Sequence, residues 1–550
     1  MQEKIIDLIK NIILKEFGQE CQPELEIPAD PKNGDYATNI ALKSAKLFGK
    51  NPREIATVIA DVVAKSSPDL KCEIAGPGFI NFYLNSEDFA SVVINAIKDG
   101  DSYGKNDSLK GDNINLEFVS ANPTGPLHIG GTRWAAVGDA LANIFESCGA
   151  SVHREYYFND HGSQIDNFVY SLLAAYKNEP TPENGYGGDY IKEIASTISD
   201  SLDKQITNDA DLYEYFRKEG TTIMFAEIQK SLEDFGVNFD EYFHEQSLYD
   251  TNDVDTAINK LKAAGAMYEK DGALWFESTK FGDDKDRVVI KSDGEYAYLA
   301  ADIAYYLNKR NRGYNRVFYM LGSDHHGYIG RLKAIALAFG DSLDNIEIII
   351  GQLVNLIKDG KPFRMSKRNG DIVSLEDMVE IAGVDATRYS LARYSINQSI
   401  DLDLDLISSH SSDNPVFYVQ YAHARCSNII KNAASYKLIA SIDNVNDNFD
   451  GSLLDAENEV ALLKKLSTFE DTIKEAAEFY APHRIARYAE ELAAALHKFY
   501  GESRIIPASA NADTPITEPV YLSRLYLVHA TKQVLANSLS LLGVTAPEKM

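Results

Sequence analysis

Cysteine is scarce in this chain: its 550 residues include four, Cys21, Cys72, Cys148 and Cys426, far apart and with no pair at metal-ligand spacing. That excludes a disulfide-stapled fold and a zinc ribbon, and leaves small buried thiols as the expectation. Long apolar runs are missing too, which excludes a membrane-spanning helix of ordinary length. Neither an internal repeat nor a low-complexity tract is present, so nothing points to a solenoid or a disordered tail. Basic residues are in short supply, 54 Lys and Arg against 82 Asp and Glu. The resulting net charge of −28 excludes a diffuse, sequence-blind grip on nucleic acid, because phosphate binding rests on cationic neutralisation. Any contact with RNA must come from local basic patches.

What is present, 45% hydrophobic and 25% charged residues, is the composition of an ordinary globular protein. The length implies roughly three to four domain-sized units. Met1 to Gly18 alternates Lys, Asp and Glu with Ile and Leu at helical spacing, an amphipathic helix and not a secretion signal, so a cytoplasmic location is expected. Asn51, Pro52 and Glu54 resemble a cap, a first-turn proline and a capping-box acid, opening a helix through Ile55 to Ala64. CEIAGPGFINFYL reads as a turn at Gly76, Pro77 and Gly78 followed by a strand. Residues 1–105 are therefore an α+β unit, with the polar stretch Gly100 to Asp112 as its linker.

From Asn113 the pattern becomes strand, glycine-rich turn, helix, the repeating unit of a parallel α/β sheet. INLEFVS, VHREYYFND, RVFYML and IEIII are its expected strands, and about residues 170–290 read as an insertion into it. Residues 106–375 are thus expected to form a Rossmann-like parallel-sheet domain. Beyond about 375 extended runs largely vanish, and Leu453 to Leu542 carries apolar periodicity near 3.6, so 376–550 is expected to be an all-α bundle.

Two segments carry the chemistry. EFVSANPTGPLHIGGTRWAAVGDALANIF runs from a strand through a Pro/Gly-rich turn into a helix expected to begin near Gly131. Such a junction sets free backbone N–H groups and the positive end of a helix beside His128, and Gly130 and Gly131 let a nucleotide approach closely. Alone, it reads equally as an ordinary turn with a packed histidine. GKPFRMSKRNG is a basic loop with Arg364, Lys367 and Arg368, alone readable as a solvated turn.

Together, in this order, the two segments resemble the hallmark motifs of class I aminoacyl-tRNA synthetases, His-Ile-Gly-His and Lys-Met-Ser-Lys-Ser, present here as HIGG and RMSKR. The resemblance implies that Pro123, Gly125, His128, Gly130, Gly131, Met365, Ser366 and Lys367 bind ATP, with His128 and Lys367 as catalytic cations stabilising charge on the phosphoryl oxygens. Gly131 stands where the motif has its second histidine. Arg133, Arg364 and Arg368 are the candidates to replace it.

Longer strings, GDYATN, AGPGFINF, NPVFYVQYAHAR and LLGVTAPEKM, are similar to the arginyl branch of that class and extend the resemblance over nearly the whole chain. The resemblance then implies ATP-dependent activation of L-arginine and its transfer to the terminal adenosine of tRNA(Arg). Arginine contacts fall on Glu117, Asn122, Tyr298 and Asp302, with Asp324 of LGSDHHG a further candidate; carboxylates suit the planar donor fork of a guanidinium. Tyr298 and Asp302, four apart, would share a helix face. Asp324, His325 and His326 are too close in sequence to converge on one ion, so no protein metal site is expected, and Mg2+ should arrive with ATP.

In the helical region Tyr418, Tyr421 and Arg425 lie at spacings of three and four, and exposed tyrosines stack on unpaired bases, though packed tyrosines would give the same pattern. The resemblance favours tRNA contact there, with Tyr500 and Arg504 as lesser candidates and Tyr36 and Asn39 as contacts to the tRNA elbow. No tightly bound cofactor, no membrane and no DNA partner are expected, and a monomer is. The competing readings are a synthetase of the same class for another amino acid such as lysine, and a non-catalytic tRNA-binding paralogue.

Overall fold

The computed structural model describes every residue except 1, 27, 29, 69, 85–88, 160–161, 203–205, 207, 364–372, 509, 511–515 and 517, and omits the side chains at 2, 3, 31, 90 and 324. The chain packs as two compact units, one of residues 1–103, 426–468 and 494–534, the other of 104–425, 469–493 and 535–550.

In the first unit the helix Gln2–Phe17 buries Ile5, Ile9, Ile12 and Ile13, the stripe its periodicity marks out. The helix Pro52–Ser66 starts as the sequence predicts, with the Asn51 side chain accepting from the Arg53 N–H at 2.9 Å and Pro52 in the first turn. Strands β1 (Tyr36–Thr38), β2 (Lys71–Ala75) and β3 (Phe79–Tyr83) form an antiparallel sheet in the order β1-β3-β2. The turn lies at Gly76 to Gly78 as expected, and CEIA before it, to which no strand is assigned from sequence, is the first arm of the hairpin it closes. Gly34, at the head of GDYATN, has φ +89°, and a Cβ there would lie 2.5 Å from the Phe82 carbonyl oxygen.

The strands of the second unit are, in chain order, β4 (Asn113–Glu117), β5 (Ser151–Phe158), β6 (Glu241–His244), β7 (Met267–Lys270), β8 (Ala273–Phe276), β9 (Arg287–Ile290), β10 (Arg316–Gly322), β11 (Ile346–Gly351), β12 (Val354–Lys358), β13 (Lys361–Pro362) and β14 (Ile400–Asp403). Five of them build a parallel sheet in the order β11-β10-β4-β5-β6. β10 is buried from Val317 to Met320, as a strand covered on both faces must be. The helix Ile129–Ser147 that follows β4 is buried from Gly131 to Ala142 on every side. β6 lies inside the stretch expected as an insertion: the chain leaves the sheet through the helices Ser163–Tyr176, Asp189–Ser201 and Asp209–Asp234, then returns for one four-residue edge strand. The β7-β8-β9 meander follows, and β12 pairs with β13 and with β14, a short strand beyond residue 375.

From β4 the chain proceeds to β5 on one side; from β10 it proceeds to β11 on the other. In an open parallel sheet the carboxyl ends of such neighbours splay apart and leave a crevice. Glu117 ends β4 and Gly322 ends β10, so the segment that carries HIGG and the SDHHG segment that carries Asp324 leave the sheet at this crevice.

The end of the chain is tied into this unit by a buried guanidinium. Arg388, 1% exposed, donates to the carbonyls of Phe235 at 3.0 Å, Gly236 at 3.2 Å and Leu542 at 3.3 Å, and pairs with Asp139. Gly543 has φ +65°, and a Cβ there would overlap the Arg388 guanidinium. Gly543→Ala should therefore lower stability by about 3 kcal/mol or more, since it strains the backbone and breaks a buried pair at once. Chemical denaturation checks this; an unchanged midpoint would show that Arg388 does not anchor the terminus.

Candidate functional site

The site begins with a strained turn. Immediately after Glu117 the backbone enters the left-handed region at Val119 (φ 68°) and Ser120 (φ 42°), which a β-branched residue rarely adopts and which costs about 1–3 kcal/mol per residue. Neighbouring groups hold it there. Ser120 Oγ donates to Glu117 Oε1 at 3.2 Å and accepts from the Tyr157 N–H at 3.1 Å, and the Tyr156 hydroxyl donates to the Ala121 carbonyl at 2.6 Å.

The turn delivers His128 as the N-cap of the helix Ile129–Ser147, two residues earlier than the expected start at Gly131. Its Nδ1 accepts from the Gly130 N–H at 3.0 Å, which requires a neutral Nδ1 and places the ring proton on Nε2. A Cβ at residue 130 would lie 2.8 Å from His128 Cε1, so glycine there is what lets the ring fold back onto the cap. At Gly131 a Cβ would meet Leu127 Cδ2 at 3.4 Å, an ordinary contact.

His128 is exposed and lines two cavities. The larger, about 960 Å³, also has Asn122, Gly125, Gly130 and Gly131 in its wall; Pro123 is buried and is not part of it. The smaller, about 650 Å³, is lined by Phe363 and Val373, the residues flanking 364–372. Next to Val373, Ser374 bridges His128, and the Leu375 N–H donates to the Leu127 carbonyl at 2.8 Å. Met365, Ser366 and Lys367, with Arg364 and Arg368, lie outside the described residues; Phe363 and Val373 on either side of them share a cavity with His128.

Arg133 does not replace the second histidine. It is 2% exposed, and its terminal nitrogens are taken by the carbonyls of Gln352 at 2.8 Å, Ser395 at 2.9 Å and Gln398 at 3.0 Å. Burial moves its pKa down to about 10.

Insertion residues also reach the wall. Gln164 Oε1 accepts from Asn122 Nδ2 at 2.6 Å, and the Tyr190 hydroxyl donates to the Thr124 carbonyl at 3.0 Å.

Behind the wall lies an acidic cluster. Glu117 is 5% exposed. Burial pushes the Asp302 carboxyl up to about 7, reinforced by Glu245 and Glu117 and opposed by Arg331. Burial also raises the Tyr157 hydroxyl, which is bonded to Glu245 and feels Asp302 and Glu117. The structure thus brings together Glu117 and Asp302, and adds Glu245 and Tyr157, which sequence reasoning missed. Glu245 follows β6, and only the pairing of β6 with β5 brings it near β4. Tyr298 begins the helix Tyr298–Asn311 and is 81% exposed. None of Glu117, Tyr298 and Asp302 is itself in the wall of the larger cavity; Ser120, which donates to Glu117, is. Asp324 has its backbone in the turn Ser323–His325 that follows β10, and its side chain is outside the description.

Of the expected RNA contacts, Tyr421 is 41% exposed, and Arg425 lies over its ring at 4.7 Å and donates to its hydroxyl at 2.9 Å. Phe417, four residues before it, stacks on the same ring, whereas Tyr418 is half-buried. Tyr500 and Arg504 are exposed. Tyr36 is a correction: in β1, opposite Phe82 of β3, it is 4% exposed, so its ring belongs to the core and Asn39, half-buried at a helix start, is left of that pair.

Beneath the crevice, Glu117 and Glu155 are register partners on adjacent strands, a placement that is unfavourable for two like charges. Lys309 and Arg312 neutralise them, with Arg312 Nη1 2.5 Å from both Glu155 and Glu241. His153, Glu155 and Glu241 are close enough to hold a metal ion, but this guanidinium already supplies the positive charge. Burial would raise the Glu155 carboxyl; Lys309 and Arg312 overcome it and hold it at about 2. The unfolded carboxyl titrates near 4.5, so this contribution, ~3 kcal/mol, is complete above pH 4.5 and is lost as pH falls toward 2. Acid unfolding should therefore show a stability loss in that window which Glu155→Gln removes; an identical acid profile in the variant would refute it.

The comparisons agree with this architecture. The chain matches family profiles described as arginyl tRNA synthetase N terminal domain over residues 1–84, tRNA synthetases class I (R), catalytic domain over 92–391, and DALR anticodon binding domain over 419–550. Among solved structures it is similar to a candidate arginyl-tRNA synthetase from Campylobacter jejuni, at 32% identity and TM-score 0.75, covering 85% of this chain and 100% of that one. The arginyl-tRNA synthetase of Thermus thermophilus shares the fold at 20% identity and TM-score 0.76, with 100% of both chains covered. That of Plasmodium falciparum does so at 17% identity and TM-score 0.76, covering 100% of this chain and 99% of that one. With a profile of the arginine-specific catalytic domain spanning more than half its length, the chain belongs to the class I arginyl-tRNA synthetases, the arginine–tRNA ligases.

Proposed function

We propose that the crevice at the ends of β4 and β10 activates arginine in two parts: a phosphate-binding side at His128 and a guanidinium-binding side at Glu117 and Asp302. The observation that carries this reading is that His128, the residues Phe363 and Val373 that flank 364–372, and the turn after Glu117 line adjoining cavities. ATP, entering as its Mg2+ complex, lies along Gly125, His128, Gly130 and Gly131, and Met365, Ser366 and Lys367 also bind it. The arginine carboxylate attacks the α-phosphorus, the bond to the β-phosphate oxygen breaks, and pyrophosphate leaves. His128 Nε2–H and Lys367 stabilise the charge that builds on the phosphoryl oxygens. The terminal adenosine of tRNA(Arg) then takes the arginyl group, with AMP as leaving group.

Glu117 and Asp302 bind the guanidinium, and Asn122, Tyr298 and Asp324 complete the arginine contacts. In this reading residues 1–105 contact the tRNA, 106–375 carry the chemistry, and 376–550 read the anticodon through Tyr418, Tyr421, Arg425, Tyr500 and Arg504. The enzyme works as a cytoplasmic monomer without a tightly bound cofactor. No described helix is long and apolar enough to cross a membrane.

Radiolabelled arginine, ATP and total tRNA should yield acid-precipitable label with the full chain. Asp302→Asn should raise the arginine KM by about thirtyfold or more, because it leaves a guanidinium short of a charged partner. With the Asp302 carboxyl at about 7 and arginine requiring its anion, the arginine KM should also rise as pH falls below 7, and the variant should lose this dependence. An unchanged KM in Asp302→Asn would remove the residue from the pocket.

A second contrast tests the cap. Gly130→Ala should displace the His128 ring and slow activation roughly as much as His128→Ala, about a hundredfold. A parent rate in Gly130→Ala beside a slow His128→Ala would detach the cap from the chemistry.

A further inference from the structure

Lys309 lies on the helix Tyr298–Asn311, 0% exposed, beneath the carboxyl end of β4. Its ammonium has three donors and meets three acceptors: Asn115 Oδ1 at 2.7 Å, Glu117 Oε2 at 2.8 Å and Glu155 Oε1 at 3.1 Å. The rings of Tyr305 and Tyr319 flank it at 4.3 and 4.6 Å, so the cation has one available position. Glu155 is itself fixed, by the Tyr305 hydroxyl at 2.5 Å, Asn115 Nδ2 at 3.0 Å and Arg312.

A buried ion pair is a weak way to stabilise a core, since apolar residues of equal volume commonly do as well. Orientation is what such a pair supplies. Lys309 takes one oxygen of Glu117 and Ser120 takes the other, so the carboxylate is held from both sides directly behind Ser120, which lines the larger cavity. Without the ammonium, Glu117 would also face Glu155, its register partner, as an uncompensated like charge.

We infer that Lys309 is a positioning residue for amino-acid recognition, holding the Glu117 side chain in place for the guanidinium of the substrate. The inference rests on the reading of Glu117 as a guanidinium ligand given under the proposed function.

The test uses the full chain with tRNA and compares Lys309→Met, Glu117→Gln and the pair Lys309→Met with Glu155→Gln, which removes one charge of each sign and keeps the buried balance should the single variant fail to fold. The folded variant lacking Lys309 should raise the arginine KM roughly tenfold or more with the ATP KM nearly unchanged. It should also lose preference for arginine over its neutral ureido analogue, an effect that general loosening of the fold would not produce. If Glu117→Gln raises the arginine KM while the Lys309 variants leave it and the analogue preference unchanged, Lys309 only supports the sheet and the inference is overturned. If Glu117→Gln leaves the arginine KM unchanged, the assignment of Glu117 to the pocket fails first, and the role of Lys309 falls with it.

Discussion

The rest of the molecule depends on one topological constraint: β4 and β10 lie side by side, but their chains depart in opposite directions. No crossover helix can cover the carboxyl ends at that point, so a crevice remains open there. Each strand therefore ends in a segment without a repeating hydrogen-bond partner, and the chain fills the gap with specific contacts. After β4 these are the strained Val119 and Ser120 and the His128 cap; after β10 they are the turn Ser323–His325 and the cavity wall around it.

In the proposed reading the crevice takes phosphate on one side and a guanidinium on the other, and different parts of the backbone supply the two sides. On the phosphate side a neutral imidazole, fixed by a backbone N–H, presents a donor without carrying a full charge. Loop cations can then be supplied from 364–372, whose flanking residues line the cavity at His128. On the opposite side, buried Lys309 and half-buried Arg312 absorb the charge of Glu155 and part of that of Glu117, while Asp302 feels Arg331. The strongly acidic overall balance is compatible with this arrangement because binding here depends on placement at short range, where screening by solvent is weak.

The same economy of charge applies to the RNA-facing candidates. A chain of net charge −28 cannot draw a polyanion by its overall field. The exposed Tyr421 ring, stacked by Phe417 and covered by Arg425, offers instead the combination of an aromatic face and one cation that unpaired bases accept.

Sequence by itself determined the parallel α/β sheet, its four apolar strands, the glycine-rich junction before the helix Ile129–Ser147 and the helical end of the chain. These features are local: each rests on periodicity or on a residue type that a turn or cap requires, and the long arginyl-type strings added the family. β6 stayed hidden because four residues of edge strand between polar helices carry no period of their own. Tyr36 was misplaced because an aromatic beside a glycine turn reads alike on either face, and only the pairing of β1 with β3 turns the ring inward. Arg133 looked available for phosphate because its chain position is right; three carbonyls from distant segments decided otherwise. Tertiary structure alone brought Glu245 to Asp302 and Lys309 beneath Glu117, since the energy of a charge depends on what folding places within a few ångströms of it, and sequence distance does not record that.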